Sequence, residues 1–301
     1  MQLGIISVLI LLFYSNCASP TDLGEVLSYR LPNSDLLFGS DSTFEIGTWN
    51  LENYPKATTT NQYVADIIVS MDVDMVCFQE IESGGAFNSL IELVNSVDSV
   101  NHWSGHRGNS TSYGMNLAVI YKTDRVSNIS FLDILTDDSW ILPRFPLKIE
   151  FDVDGQLLVI INNHLKCCDD GVYRRQLACD TIKSYIEANY NDDNVIVLGD
   201  LNDEVTDQQN ENVFWSFISA PQDFKITDMS IATGSTQNWS YPTWPSHIDH
   251  IIISNELFDE FDNSISEVKV VRIDDILEGG WNEYDSNVSD HRPVVWKFEL
   301  E

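Results

Sequence analysis

The chain has 301 residues, 43% hydrophobic and 11% aromatic, which suits a well-packed globular core and excludes a low-complexity protein. It carries 47 acidic residues against 16 basic ones, a formal charge of −31. This balance counts against a nuclease that grips long duplexes, because phosphate binding normally uses clustered Lys and Arg. The acidity equally suits a protein that stays soluble in salty or extracellular surroundings, and divalent cations could offset it locally.

The first segment of the chain predicts export. Leu3 to Tyr14 is an almost unbroken apolar run, shorter than the roughly 20 residues that a transmembrane helix needs. This pattern is typical of a signal peptide, which we place over residues 1–19, although no basic residue precedes the run. Cys17 leaves a second interpretation open, a lipoprotein tethered to a membrane through that cysteine. Residues 20–40 then form a tether and residues 41–301 one domain, in an extracellular, periplasmic or membrane-anchored protein.

Apolar periodicity along the rest of the chain predicts strands and helices without an internal repeat. Strands are predicted at about 44–51, 74–80, 116–122, 145–153, 156–164, 194–199, 248–254, 265–273 and 293–299, and helices at about 60–71, 87–97 and 173–190. Early strands alternate with helices, whereas the middle strands run as hairpins. We therefore predict an α/β fold in which two mixed β-sheets pack face to face, with helices outside.

Polar residues end three of these strands. Asn50 and Glu80 follow the first two, and Asn162-Asn163-His164 ends the strand at 156–164. A carboxylate such as that of Glu80 seldom stabilises a fold there, because burying it without a partner is costly. The alternatives are a strand-end acid that reaches solvent, a turn-forming Asn50, and a His164 that is a hydrogen-bonded core residue.

The segment from Val195 to Asp203 is the most informative. Four apolar residues predict a buried strand, and Gly199 ends it. Asp200 and Asn202 follow two positions apart, so alternation along an extended chain places them on the same side. Open α/β sheets carry their chemistry at such strand ends, although an acid and an amide at this spacing also cap turns.

Further polar groups lie near the other strands. His247-Ile248-Asp249-His250 opens the strand at 248–254, and Asp290-His291 precedes the last strand. We expect His247 and His250 to serve packing or the loop. Arg144, in Leu-Pro-Arg-Phe-Pro, could clamp a phosphate with its planar guanidinium or form an ordinary surface ion pair.

Taken in order, these motifs resemble the endonuclease/exonuclease/phosphatase superfamily, which includes pancreatic deoxyribonuclease, apurinic endonucleases, sphingomyelinases and inositol polyphosphate phosphatases. The resemblance runs from about Phe44 to the C-terminus. It implies a four-layer α/β sandwich and a metal-dependent attack on a phosphate ester, in a deoxyribonuclease-like, secreted member of bacterial type. The inositol phosphatase branch is disfavoured, because its Trp-x-Gly-Asp-x-Asn-[Tyr/Phe]-Arg pattern is replaced here by Val-Leu-Gly-Asp-Leu-Asn-Asp.

The resemblance also implies residue roles. The catalytic candidates are His164, Asp200, Asn202, Asp249 and His291, the substrate-binding candidate is Arg144, and the metal candidates are Asn50, Glu80 and Asp290. The main ligand of Mg²⁺ or Mn²⁺ would be Glu80, because these cations prefer hard oxygen ligands. Asp200 would activate the attacking water and Asn202 would hydrogen-bond a phosphoryl oxygen or the metal shell. His164 would assist the leaving oxygen, and Asp249 would orient the imidazole of His291 against the phosphate.

Three functions remain open at this point. The first is a metal-dependent phosphodiesterase, most simply a nuclease, and the second is a phosphodiesterase for lipids or small phosphoesters, which suits the acidic surface and a membrane tether. The third is an inactive surface-binding protein on the same scaffold. We expect a monomer whose substrate is chosen by loops at 104–113 and 233–246, where Trp239, Tyr241 and Trp244 could stack on bases, meet lipid or pack the loop.

The cysteines allow one more prediction. Cys77 lies in an apolar run and is expected in the core. In an oxidising compartment, Cys167 or Cys168 could bridge to Cys179. We predict this disulfide over free thiols, and no histidine stands at the spacing of a zinc site.

Overall fold

The computed structural model describes residues 33–109 and 114–300. The predicted signal peptide, Cys17 and most of the predicted tether therefore lie outside the described residues. Within them, every helix is too short or too polar to cross a membrane.

Strands dominate the described residues. They are β1 (Phe44–Tyr54), β2 (Met75–Ile81), β3 (Trp103–Arg107), β4 (Asn116–Lys122), β5 (Ser127–Asp133), β6 (Leu147–Val153), β7 (Gln156–His164), β8 (Asn194–Asp200), β9 (Phe224–Ile226), β10 (Asp249–Ser254), β11 (Glu267–Val270) and β12 (Val294–Phe298). The α-helices are α1 (Asn33–Leu36), α2 (Thr60–Met71), α3 (Gly84–Val97), α4 (Val172–Asn189), α5 (Trp215–Ile218), α6 (Met229–Ala232), α7 (Phe258–Asp262) and α8 (Gly280–Asn287).

The strands form two mixed, six-stranded sheets, in the orders β11-β12-β1-β2-β4-β3 and β5-β6-β7-β8-β10-β9. Each sheet contains one parallel pair, β1 with β2 and β7 with β8, so the carboxyl ends of both pairs collect polar residues. Asn50 lies beside Gln79, and His164 lies beside Asp200. Because β10 runs antiparallel to β8, its first residue, Asp249, lies opposite Asp200.

Apolar residues on both faces of the strands build the layers. Met75 and Cys77 of β2 enter the core between the two sheets, whereas Val76 and Phe78 pack against α2 and α3. In the second sheet the outer face is covered by α4, which contributes Ile182. The apolar runs are continuous because each central strand is buried on both sides. The predicted four-layer α/β sandwich is confirmed.

Several boundaries differ from the sequence prediction. The strands β3, β5 and β9 were not predicted, because their exposed faces interrupt the apolar pattern. Helix α3 begins at Gly84 rather than at 87, since the Ser83 side chain accepts a hydrogen bond from the backbone N–H of Ala86 and caps it. The end of the segment predicted as a tether packs on the domain, with Leu36 and Phe38 buried against α2 and its neighbours.

The predicted disulfide to Cys179 is wrong. Cys77, Cys167, Cys168 and Cys179 are all free thiols. Helix α4 turns Cys179 into the apolar core beneath the second sheet, where the side chain is buried, while Cys168 is exposed to solvent. Spacing along the chain did not reveal which face of α4 the cysteine occupies.

Glu45 is a buried carboxylate near the start of β1, away from the polar strand ends. It accepts hydrogen bonds from the Thr43 hydroxyl and from the Ser40 backbone N–H at 3.1 Å. Its Oε2 has no partner among the described residues. Burial and then the nearby charge of Asp74 raise the pKa of Glu45 to about 8, although the hydrogen bond from Thr43 opposes the shift.

This burial predicts a pH-dependent stability. Between about 4.3, the value of a free Glu, and about 8, the folded state binds more protons than the unfolded state, so stability falls as pH rises. We expect Glu45→Gln, which mimics the protonated acid, to reduce the fall in melting temperature between pH 5 and pH 8.5, while the raised pKa values of Asp200, Asp290 and His291 leave the remainder. The exposed Glu92→Gln is the control, and an unchanged slope in Glu45→Gln would refute the assignment.

Candidate active site

The polar residues at the strand ends meet where the two sheets face each other. The carboxamide Nδ2 of Asn50 donates to Asp200 Oδ2 at 2.9 Å and faces Glu80 Oε1 at 3.3 Å. Its Oδ1 accepts from the backbone N–H of Glu52 at 2.9 Å. The buried amide of Asn50 therefore lies between Glu80 of the first sheet and Asp200 of the second, and contacts both.

Two site residues lie in the left-handed backbone region, with φ values of 62° at Glu80 and 56° at Asn202. Such conformations are costly for residues with a side chain and persist where the surroundings impose them. Here the Asn53 N–H donates to Glu80 Oε2 at 2.8 Å, and the Asn202 N–H donates to Asp200 Oδ1 at 3.0 Å. These two turns thus direct the carboxylates of Glu80 and Asp200 into the site.

Gly199 explains why a glycine precedes Asp200. Its φ is 141°, and a Cβ there would lie 1.9 Å from the backbone oxygen of Asn163. The close approach of β7 and β8 at this point places His164 beside Asp200, with His164 Nε2 at 3.4 Å from Asp200 Oδ2. The glycine in Gly-Asp-x-Asn is therefore a packing requirement.

Asp249 and His291 form a buried pair. The ring nitrogen Nδ1 of His291 lies 2.8 Å from Asp249 Oδ2, and its Nε2 points toward Asp200 Oδ2 at 3.9 Å and Asp290 Oδ1 at 3.8 Å. The His291 carbonyl accepts from the Trp49 indole N–H at 3.1 Å and from a tyrosine hydroxyl in α8. His291 is thus held by contacts to both its ring and its backbone carbonyl.

Burial and mutual charge set the protonation of this group. Burial raises the pKa of Asp200 to about 7, with the cationic His291 opposing and Asp249 assisting the shift. Burial alone would lower the pKa of His291, but the charges of Asp249 and Asp200 raise it to about 10. The imidazole of His291 is therefore a cation at neutral pH.

His164 behaves differently from His291. Burial, assisted by the positive charges of Arg144 and His291, holds the pKa of His164 well below its usual value, so this imidazole is neutral. Its Nδ1 has no partner among the described residues. Nε2 of both histidines approaches Asp200 Oδ2, so the site holds one neutral and one cationic imidazole beside the same carboxylate.

Arg144 is not a surface ion pair. The residue is buried, its Nη2 donates to the Leu165 carbonyl at 2.5 Å, and its Nε has no partner among the described residues. The carboxylates of Asp200 and Glu80 act on its pKa, which places the guanidinium at the same site.

The donor set fits a hard divalent cation. Glu80, Asp200 and Asp290 converge, and the amide of Asn50 lies between the first two. Burial and then the charge of Glu52, with a smaller contribution from Glu80, raise the pKa of Asp290 to about 6. Crowded carboxylates of this kind are neutralised by a bound cation with oxygen ligands.

A second polar cluster was missed by sequence reasoning. Asp228 lies between His247 and His250, at 3.0 Å from Nε2 of the first and 2.5 Å from Nδ1 of the second. The Ser240 N–H donates to His247 Nδ1 at 3.3 Å, so Nε2 carries the proton and faces the carboxylate. These atoms lie close enough together to hold a metal, and in the structure they contact one another as an internal polar network.

That network supports the active-site turn. His250 Nε2 lies 3.0 Å from the Asp203 carbonyl, and the Asp203 carboxylate accepts from Arg175 Nε at 2.8 Å. Asp203 is thus held through both its backbone carbonyl and its carboxylate. Histidines flanking Asp249 were the available signal, but nothing in the sequence identified Asp228 as their partner.

The loop predicted at 233–246 borders the site. The ring of Tyr241 lies 4.8 Å from that of His291, between centroids, and Trp244 is 74% exposed at the tip of the same loop. Trp239 instead packs the loop, because its indole N–H donates to the Ile231 carbonyl at 3.1 Å. The other predicted loop is partly β3, and its residues 110–113 lie outside the described residues.

Comparison with known proteins identifies the class. The sequence model of the Endonuclease/Exonuclease/phosphatase family matches residues 47–291, and the chain belongs to this family. Its members are metal-dependent phosphoester hydrolases, and this chain is such an enzyme. No curated protein matched the chain at a significant level.

Solved structures share the fold. TDP2 from D. rerio, complexed with a single-strand DNA product, has a TM-score of 0.64 and 16% identity, over 86% of this chain and 100% of that one. The human Nocturnin catalytic domain with bound sulfate has a TM-score of 0.59 and 16% identity, over 86% and 95%. A Bacteroides vulgatus endonuclease/exonuclease/phosphatase has a TM-score of 0.59 and 16% identity, over 86% and 99%.

The Asp249–His291 bond predicts strongly non-additive mutants. If Asp249 orients the imidazole, Asp249→Asn should lower turnover by about 10²–10⁴, the usual contribution of a positioned acid or base, and His291→Ala by as much or more. The double variant should be little worse than His291→Ala. Turnover and melting temperature of the four proteins measure this, and independent, additive losses would contradict it.

Proposed function

We propose that this enzyme is a phosphodiesterase of the nuclease type. The observation that supports this best is the pair of histidines beside Asp200, at 3.4 Å for His164 and 3.9 Å for His291. Cleavage of a diester needs an activated water on one side of the phosphorus and a stabilised leaving oxygen on the other. A carboxylate with one neutral and one cationic imidazole beside it offers groups for both tasks.

Asp200 is placed to orient and deprotonate the attacking water. Its Oδ1 is held by the Asn202 N–H, and its Oδ2 by the Asn50 amide, so its position is fixed before substrate arrives. The Asn202 amide donates to the Leu165 carbonyl at 3.2 Å, and we assign this side chain the role of a hydrogen-bonding group for the phosphate.

The cationic groups are placed to bind the phosphoryl oxygens. His291, protonated and oriented by Asp249, presents Nε2 to the site. Arg144 adds a guanidinium whose Nε has no partner among the described residues, and we assign it to contact with a phosphoryl oxygen. His164 is neutral and stabilises the leaving oxygen by hydrogen bonding.

Glu80, Asp290 and Asn50 would hold the divalent cation, Mg²⁺ or Mn²⁺. When bound, the cation neutralises phosphoryl charge and favours ionisation of water. The neighbouring charges of Asp200 and Glu52 make this part of the site strongly attractive to a cation, since burial leaves them poorly screened.

Single strands and small diesters suit the surface better than long duplexes. The chain carries a formal charge of −31, and duplex binding normally relies on clustered basic residues. The D. rerio TDP2 structure contains a single-strand DNA product, which supports a single-stranded substrate for a chain of the same fold. We further propose that the enzyme is exported, on the strength of the apolar run from Leu3 to Tyr14.

A panel assay tests the proposal. With Mg²⁺ or Mn²⁺, we expect hydrolysis of bis-p-nitrophenyl phosphate and single-stranded DNA, slower cleavage of duplex DNA, and no activity after chelation. RNA and sphingomyelin complete the panel, and His291→Ala serves as the inactive control. Hydrolysis of sphingomyelin alone would establish the lipid alternative, and hydrolysis of monoesters alone would overturn the phosphodiesterase assignment.

A further inference from the structure

Two neighbouring cysteines lie on the segment that leaves the active site. Cys167 and Cys168 follow the end of β7 at His164, and their sulfur atoms are 2.8 Å apart. This is longer than the roughly 2.05 Å of a disulfide bond and places the two thiols in direct contact. Cys168 is exposed and Cys167 half-buried, so reagents in solution can reach the pair.

The backbone around this pair is shared with the active site. The Leu165 carbonyl accepts from Asn202 Nδ2 at 3.2 Å and from Arg144 Nη2 at 2.5 Å. One nitrogen of Arg175, Nη1, donates at 2.8 Å to the carbonyls of both Lys166 and Cys168. A change in the path of the chain at residues 166–168 would therefore move Asn202 and Arg144, two residues of the candidate active site.

We propose that Cys167 and Cys168 form a redox modification site that closes to a disulfide between neighbouring residues and thereby slows hydrolysis. The oxidant is a low-molecular-weight disulfide such as oxidised glutathione. The effect on hydrolysis rests on the proposed function, whereas formation of the bond does not.

The reaction is two successive thiol–disulfide exchanges. Lys166 Nζ, at 3.7 Å, and the Cys168 S–H both donate to Cys167 Sγ, and this hydrogen bond raises the pKa of the Cys168 thiol, so we assign Cys167 as the attacking sulfur. It attacks one sulfur of the oxidant and releases one glutathione thiolate. Cys168 loses its proton and attacks Cys167 Sγ of the mixed disulfide, which releases the second. Two electrons pass to the oxidant, and the two thiol protons go to the two glutathiones.

The geometry makes the bond reversible. Adjacent Cα atoms are about 3.8 Å apart across a trans peptide, below the roughly 4.4–6.8 Å found across disulfides. The resulting strain makes the bond easier to reduce, which is typical of labile and regulatory disulfides. Cys168 already has a φ of 74°, so its backbone is strained in the thiol form as well.

The other described cysteines do not compete for the oxidant. Cys77 and Cys179 are buried in apolar surroundings, which raise the pKa of both thiols. Both lie within the hydrophobic clusters of the core and are out of reach of glutathione.

Mass spectrometry and activity together test the proposal. Trypsin releases residues 167–174 as one peptide. After treatment with oxidised glutathione, this peptide should lose two hydrogens and resist alkylation until dithiothreitol is added. Turnover of bis-p-nitrophenyl phosphate should fall several-fold and recover with the reductant. Neither Cys167→Ser nor Cys168→Ser should lose two hydrogens, and Cys168→Ser should instead stop at the mixed disulfide with glutathione, while the matched control Cys77→Ala should respond like the wild type.

Hydrogen exchange of residues 200–204 provides a readout that does not depend on turnover. Faster exchange there on oxidation, reversed by dithiothreitol, is expected even if the enzyme proves to act on another substrate. A stable glutathione adduct, or a peptide that stays alkylatable, would overturn the modification site. A disulfide that forms without changing either turnover or exchange would overturn its coupling to the active site.

Discussion

The hydrogen bonds of the Asn50 carboxamide connect the two halves of the structure. Its Nδ2 reaches Asp200 in the second sheet at 2.9 Å and faces Glu80 in the first at 3.3 Å. Deeper between the sheets, Gln79 Nε2 donates to Asn162 Oδ1 at 2.8 Å, and the rest of the contact is largely apolar packing, which is strong but does not fix polar groups to within tenths of an ångström. A buried amide that is satisfied on both sides provides this fixation. The parallel pairs β1–β2 and β7–β8 make the arrangement possible, since they end at the same edge.

Charge is the second organising feature of the site. Four carboxylates, those of Glu80, Asp200, Asp249 and Asp290, lie near one another in a largely buried region, and their burial would be prohibitive without compensation. His291 supplies a cation, and Arg144 a second one. The remaining negative charge favours a divalent metal and a phosphate together, because the metal offsets the carboxylates and the phosphate engages the cations. The acidic surface and the phosphate-binding site are therefore compatible.

Much of the site could be predicted from the sequence, because strand ends carry the polar residues and the apolar runs that precede them are long. Asn50, Glu80, His164 and Asp200 were found this way, and the structure brings them together. Asp228 was not predicted, because its importance comes from contacts with His247 and His250 that form only in the folded chain. The predicted disulfide to Cys179 was wrong for the same reason, because sequence spacing does not specify which face of α4 is buried. Strand β5 was not predicted because its residues are largely exposed and do not show the alternation of apolar and polar residues expected of a strand.

The central claim is that Glu80 and its neighbours form one divalent-cation site. Titration of the wild type with Mn²⁺, followed by electron paramagnetic resonance, tests it without reference to any substrate. Glu80→Gln should weaken binding by at least about tenfold, a loss that even outer-shell changes at metal sites produce. Glu82 is exposed and lies two residues after Glu80, so Glu82→Gln is the matched control and should bind Mn²⁺ like the wild type. Equal Mn²⁺ affinity of the wild type and Glu80→Gln would contradict this account.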